Sequence, residues 1–198
     1  MVFKKNMILK ILTITLSIFF FTSCTSKLNT IKKIEPSNYN VISLDIYEFN
    51  FLINEEKLYL PEDLGFDSNF LIEDLYSWGN QKFKVNGETK SLLLTVKDFS
   101  LREKKVKKIY GLKKFFLSSE EIEYSLSLKI NMNFFDNDKV LDSLGLNGSI
   151  TFLIRDNNTI NEKKKFLYKA YSELIKKVDE SIDTELKKDL FSKFLSPK

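Results

Sequence analysis

The clearest structural pattern in this chain is "EIEYSLSLKINMNF", residues 121–134. Its even-numbered residues are apolar from Ile122 to Phe134, and the odd-numbered residues between them are charged or polar. Such strict alternation is typical of an antiparallel strand with one buried face and one face in water. The sequence therefore predicts a strand over 122–134 whose even-numbered side chains enter the core.

Three other stretches alternate in the same way. Residues 91–101 alternate up to Asp98 and then change phase, and residues 144–154 resume the pattern after the turn-forming "DNDK". Residues 41–53 also alternate, but the parity switches between Ile46 and Tyr47. A parity switch indicates a bulge, a bend or a strand covered on both sides.

Two amphipathic helices complete the pattern. Leu71, Leu75 and Trp78 form an apolar stripe behind Asp67, a good N-cap, and this helix is expected to end near Gly79. A second stripe runs through 162–195, which would be about 50 Å long as one straight helix, so we expect curvature or a break near residues 183–184. Its apolar positions are Leu167, Tyr171, Leu174, Val178, Ile182, Leu186 and Leu190.

The order β-α-β-β-β-α predicts an α+β fold. We expect two layers, with a mostly antiparallel four-stranded sheet and two helices on one face.

The N-terminal segment indicates where the protein is located. Three lysines precede an apolar run from Ile11 to Phe21, and small residues lead to Cys24, the only cysteine of the chain. This is the pattern of a secretory signal peptide, and the ending "FTSC" resembles a bacterial lipobox, at which the chain is cut and the cysteine acylated. An ordinary signal peptide with an incidental cysteine is the alternative. The predicted organisation is a signal peptide over 1–23, a tether over 24–40 and one domain over 41–198.

Charge and composition exclude several classes of function. Residues 1–23 hold three lysines and no acid, so their removal lowers the net charge from +4 to +1, which gives little support to a nucleic-acid partner. The chain has no histidine, which removes the commonest general base and metal ligand. We therefore expect no metal and no cofactor.

One basic cluster lies near the middle of the chain. In a protein held at a membrane, such a cluster attracts anionic headgroups by about 1 kcal/mol per charge. A soluble lysine-rich loop is the simpler interpretation. The candidate headgroup-binding residues are Arg102, Lys104, Lys105, Lys107 and Lys108.

Residues 78–103 resemble a family of uncharacterised lipoproteins from alphaproteobacteria. Its members have a tryptophan in the first helix, a glycine nine residues later and a strand of the form T-(I/V)-x-D-x-x-(V/L)-x-E. The matching positions here are Trp78, Gly87, Thr95, Val96, Asp98, Leu101 and Glu103. The order of elements is also similar to that of the auxiliary lipoproteins of lipid-transporting ABC systems and of the lipoprotein that plugs the lipopolysaccharide-export barrel. Such an analogy of architecture does not fix function.

These observations predict a lipoprotein anchored through Cys24 and facing the periplasm. Its domain would be a non-catalytic accessory or binding module, with membrane lipid or an envelope complex as partner. Thr25 stands where an aspartate would favour the inner membrane, so the outer membrane is expected. One alternative is an auxiliary subunit of a lipid-transport or outer-membrane assembly system. The other is an envelope enzyme that uses the carboxylates of Asp98 and Glu103.

Overall fold

The structure is a computed structural model that describes residues 40–54, 58–59, 68–107 and 121–197. The predicted signal peptide, Cys24 and all of the predicted tether except Asn40 lie outside these ranges, as do Asp67 and Lys108.

The described elements follow one another as seven strands and three helices. They are β1 (Ile42–Leu44), β2 (Glu48–Ile53), β3 (Leu58–Tyr59), α1 (Ser68–Lys82), β4 (Phe83–Val85), β5 (Ser91–Lys107), β6 (Glu121–Asp136), β7 (Lys139–Arg155), α2 (Ile160–Leu186) and α3 (Asp189–Ser192).

The main sheet has the order β2-β5-β6-β7, and β3 continues beside β5 on the same side as β2. The β5–β6 and β6–β7 pairs are antiparallel, whereas β2 and β3 run parallel to β5. Because β2 and β3 share one position, the sheet is four strands wide, and the predicted α+β fold with a mostly antiparallel sheet is confirmed.

The central strand β6 has the predicted facing. Its even-numbered residues are buried from Tyr124 to Phe134, while the odd-numbered residues between them are half-buried or exposed. The predicted phase change in β5 is also present, since the pairing with β6 shifts register between Val96 and Asp98. A bulge at that point restores the inward direction of Phe99 and Leu101, which are fully buried.

The parity switch near residue 46 separates two strands that belong to different sheets. Strand β1 pairs in parallel with β4 in a small sheet, and β2 pairs with β5 in the main one. The C-terminal segment joins the small sheet, because Asp45 N–H donates to the carbonyl of Phe194 and Ser196 N–H donates to that of Ser43. Neither β4 nor the small sheet was predicted from the sequence.

The ends of the two long helices differ from those expected from the sequence. Helix α1 continues past Gly79 to Lys82. Gly79 lies against the ring of Phe51, where an added Cβ would be 2.7 Å from the ring carbons, so this glycine serves close packing inside the helix and does not end it. The stripe through 162–195 is broken as expected, a little later than residues 183–184: helix α2 ends at Leu186, about 40 Å from its start, and α3 begins at Asp189. Leu190 lies beyond the end of α2 and is exposed, whereas Phe191 and Phe194 cover Phe134.

Candidate functional site

A buried ionic cluster joins α1 to α2, and we call Lys82, Asp179 and Asp183 the Lys82 cluster. The Lys82 ammonium lies 2.7 Å from Oδ1 of Asp179 and 2.6 Å from Oδ1 of Asp183. It also donates to the carbonyl of Asn40 at 3.0 Å. The side chain of Lys82 is fully buried, and the aspartate side chains are 9% and 14% exposed.

Trp78 belongs to the same contact. It is 2% exposed, in agreement with its predicted place in the core, and its indole N–H donates to Asp179 Oδ1 at 3.0 Å. Trp78 and Lys82 are four residues apart on α1, as are Asp179 and Asp183 on α2, so each pair lies on one face of its helix. The three N–H donors of the Lys82 ammonium have acceptors in Asp179, Asp183 and the Asn40 carbonyl. The cluster therefore has a structural role: it connects α1 to α2.

Gly87 has a geometric reason to be glycine. An added Cβ would lie 2.4 Å from the backbone carbon of Asp45 and 2.4 Å from the nitrogen of Ile46. The backbone approaches this closely because Gly87 N–H donates to the carbonyl of Ile46 and Asn86 N–H donates to that of Leu44, both at 2.9 Å. Gly87 therefore allows the segment directly after β4 to lie against the chain between β1 and β2.

The two carboxylates considered for catalysis do not meet. Asp98 is half-buried at the bulge of β5, opposite Lys129 on the polar face of the sheet, and Oδ2 accepts a 3.4 Å hydrogen bond from Ser100. Glu103 is exposed and lies opposite Tyr124, whose side chain is on the helix-covered face. Because opposed residues of an antiparallel pair share a face, Asp98 and Glu103 lie on opposite faces.

From Arg102 to Lys107 the basic cluster belongs to strand β5 and not to a loop. Arg102 and Lys104 are exposed, and Lys104 lies 3.3 Å from Glu123 on the neighbouring strand. The register places Lys107 opposite Glu121, which is also 3.7 Å from Arg155. Glu123 stands opposite Lys105 in the same register. Acidic residues that are distant in sequence thus lie on the strand beside the basic cluster.

Two cavities follow the seam between β7 and α2, and we call this seam the β7 groove. The larger cavity, about 490 Å³, lies between residues 146–149 of β7 and residues 177–185 of α2. The smaller, about 250 Å³, lies between residues 150–153 and residues 166–173. Strand β7 approaches α2 closely at Gly148, because this residue has no side chain: an added Cβ would lie 2.8 Å from Val178 Cγ2.

A third cavity, of about 360 Å³, lies at the β6–β7 turn and includes Tyr47 and Asp138 in its lining. The hydrogen bond to Glu48 and its negative charge raise the pKa of Tyr47, with smaller contributions from burial and from Asp138. Within the described ranges, no group of three or more acidic, cysteine or histidine residues could hold a metal ion. Across the same ranges, no helix has the length and apolar character needed to cross a membrane.

No protein-family model matches the chain, and no curated protein matches it either. Solved structures that the comparison matches to this chain include a neuraminyllactose-binding hemagglutinin homologue from Helicobacter pylori, 15% identical, with a TM-score of 0.38 over 77% of this chain and 92% of that one. A minor lipoprotein from Acinetobacter baumannii is 12% identical, with a TM-score of 0.36 over 80% and 99%. Rare lipoprotein B from Shewanella oneidensis is 12% identical, with a TM-score of 0.34 over 71% and 99%. At these scores and identities, activity, ligand and partner do not transfer to this chain.

Proposed function

We propose that this protein is a membrane-anchored lipoprotein of the bacterial envelope whose folded domain is a non-catalytic accessory or binding module. Residues 1–23 would direct export, and acylation of Cys24 would hold the domain at a membrane. One acyl chain binds a bilayer only marginally, whereas two or more anchor a protein stably. Thr25 favours the outer membrane with the domain in the periplasm.

The main support for a non-catalytic role is the position of the two candidate carboxylates on opposite faces of β5. General acid–base catalysis by two carboxylates requires both groups to reach one substrate. Asp98 and Glu103 lie on opposite faces of the sheet, so a substrate bound on one face would reach one of them. The Lys82 cluster supports the same proposal, because its charged groups already bind one another inside the core.

The proposal has a narrower form, in which the module is an auxiliary subunit of a lipid-transport or outer-membrane assembly system. The order of elements described in the sequence analysis motivates this form. We likewise propose kinship with the alphaproteobacterial lipoproteins, because their motif is matched at Trp78, Gly87, Asp98 and Glu103.

The test is purification of the tagged full-length protein from detergent-solubilised membranes, followed by identification of the lipids and proteins that accompany it. A stoichiometric transporter or barrel partner, or a bound lipid, is expected. Asp98→Asn and Glu103→Gln should leave the cellular phenotype unchanged, as should Glu123→Gln, a carboxylate control on the neighbouring strand. Two results together would favour an enzyme. The protein would be isolated without lipid or partner, and the folded variants Asp98→Asn and Glu103→Gln would lose the phenotype while Glu123→Gln keeps it.

Contact with anionic headgroups is a second candidate, which the exposure of Arg102 and Lys104 at one end of the sheet favours. Loss of one basic residue near a bilayer costs about 1 kcal/mol, so Arg102→Gln should weaken binding to phosphatidylglycerol vesicles about fivefold. Lys129→Gln is the matched control, because Lys129 is exposed on the same face in the middle of the sheet. Equal effects of the two changes would contradict a specific headgroup contact.

A further inference from the structure

The outer edge of β7 is unpaired within the part of the sheet that the structure describes. β7 is the last strand of the main sheet and pairs with β6 from Lys139 to Arg155. Among the described strands, none pairs with its other side. An edge strand presents a row of backbone N–H and C=O groups that can pair with another strand.

This edge lacks the features that usually block such pairing. Natural sheets protect their edges with charged side chains, proline or bulges. The twelve residues Ser143–Ile154, "SLGLNGSITFLI", contain neither a charge nor a proline. The one shift in the β6–β7 register lies at the hairpin, between Phe134 and Phe135. The middle and far end of β7 are therefore suited to accept a strand.

Apolar surface accompanies the open edge. Leu153 is 40% exposed on β7, and Phe166 is 43% exposed on the facing flank of α2. Both line the smaller cavity of the β7 groove. The groove lies along the edge, because each of its cavities is lined by consecutive residues of β7 from both faces of the strand.

We propose that the outer edge of β7 pairs antiparallel with the same edge of a second copy of this chain, about a two-fold axis at Gly148. Such an isologous contact joins the two sheets into one and closes on itself. A two-fold axis that relates antiparallel neighbours stands perpendicular to the sheet, so opposed residues share a face and even-numbered residues meet even-numbered ones.

Side-chain chemistry matches across this axis. On the helix-covered face, Leu144 would meet the partner's Phe152, and Leu146 would meet the partner's Ile150. On the polar face, Asn147 would meet the partner's Ser149, so that amide meets hydroxyl. Apolar pairs thus cover the groove while polar pairs continue the wet face of the sheet.

Charge disfavours one neighbouring register. An axis at Asn147 would place Lys139 opposite the partner's Arg155. With the axis at Gly148 no like charges oppose one another, because Asp142 meets the partner's Ile154 and Arg155 meets the partner's Leu141. Directly opposed like charges destabilise a strand pair.

The test uses two differently tagged full-length copies produced in the same cells. One carries Asn147→Cys and the other Ser149→Cys, and a short thiol–thiol cross-linker is added. Copies without an added cysteine report any linkage through Cys24. In the control pair, Lys129→Cys replaces Ser149→Cys, because Lys129 is exposed on the same face but belongs to the inner strand β6.

A linked heterodimer of Asn147→Cys with Ser149→Cys is expected, without linkage in either control. Absence of a heterodimer above the controls would overturn the proposal. Linkage of the β7 cysteine to a different protein, or to another segment of its own chain, would also overturn it, because the edge would then have another occupant.

A second variant tests the same contact without cysteines. Ser149→Lys with Thr151→Lys places two charges at the proposed interface and should reduce the mass of the detergent-solubilised protein from two copies to one. Asn131→Lys, on the polar face of β6, should leave the dimer intact. Circular dichroism confirms that both variants fold. A dimer that persists with both lysines at the edge, or wild-type protein with the mass of one copy, would refute the proposed pairing.

Discussion

Replacing Lys82 with methionine should destabilise the protein far more than any surface ion pair could. Methionine keeps most of the volume of lysine and removes the ammonium, which leaves the carboxylates of Asp179 and Asp183 buried without their cation. Removal of one partner from a buried ion pair costs about 3–5 kcal/mol, because an uncompensated charge stays in the core. The fully buried Lys82 side chain and its two contacts at 2.6–2.7 Å place this variant in that range.

The matched control is Lys188→Met. The ammonium of Lys188 lies 2.6 Å from Glu185, as close as the contacts of Lys82, but its side chain is 58% exposed. Exposed pairs contribute about 0–1 kcal/mol, since water screens the charges and both side chains lose freedom. The two variants therefore compare the same contact distance at opposite extremes of burial.

The assay is equilibrium unfolding in urea at neutral pH, with the free energy of unfolding extrapolated to water. In the Lys82→Met background, Asp179→Asn with Asp183→Asn should recover part of the loss, because the isolated charges are then gone. A cost for Lys82→Met no larger than that for Lys188→Met would refute the assignment of the Lys82 cluster as the joint between α1 and α2.

Three further predictions test the fold. Leu128→Ala should cost about 2–5 kcal/mol in the same assay, as a large-to-small change at a fully buried position, whereas exposed Lys129→Ala should stay within about 0.5 kcal/mol; equal costs would mean that the facing of β6 is wrong. Gly87→Ala should cost roughly 1–3 kcal/mol as overpacking against backbone, and a neutral effect in thermal unfolding would contradict that close approach. Glu162 has its pKa lowered from 4.5 by hydrogen bonds from the backbone and side chain of Thr159, so its contribution to stability is present above pH 4.5 and is lost as the pH falls through its folded-state pKa. The stability difference between wild type and Glu162→Gln should therefore shrink in acid, and a difference independent of pH would contradict this.

Features that depend on local pattern could be predicted from the sequence. The alternation through β6 predicted which side chains are buried, because the period of a strand fixes its faces. The phase change at Asp98 predicted an irregularity in β5, and a register shift is present there. The stripe from Leu167 to Leu186 predicted the buried face of α2.

Features that depend on contacts between distant residues could not be predicted in this way. Lys82 and Asp183 are 101 residues apart, and each alone resembles a surface residue near the end of an amphipathic helix. Helix α2 continues through Asp183 and presents its carboxylate to Lys82. Asp179, a charged residue directly beside Val178 of the apolar stripe, was the one local signal of this cluster.

The basic cluster illustrates the same limit. The sequence from Arg102 to Lys108 is strongly positive, but Glu121 and Glu123 reach it from β6 through strand pairing. Local charge therefore overestimated the positive charge at this end of the sheet. Strand register decides which charges become neighbours, and it depends on connections that a single sequence does not specify.

Anchoring through Cys24 can be tested by metabolic labelling of cells with a fatty-acid analogue, with mass spectrometry of the N-terminal peptide of the purified protein. We expect an acylated peptide that begins at Cys24 in the wild type, and neither label nor membrane association for Cys24→Ala. An unmodified cysteine in the wild type, or persistent labelling of Cys24→Ala, would contradict it.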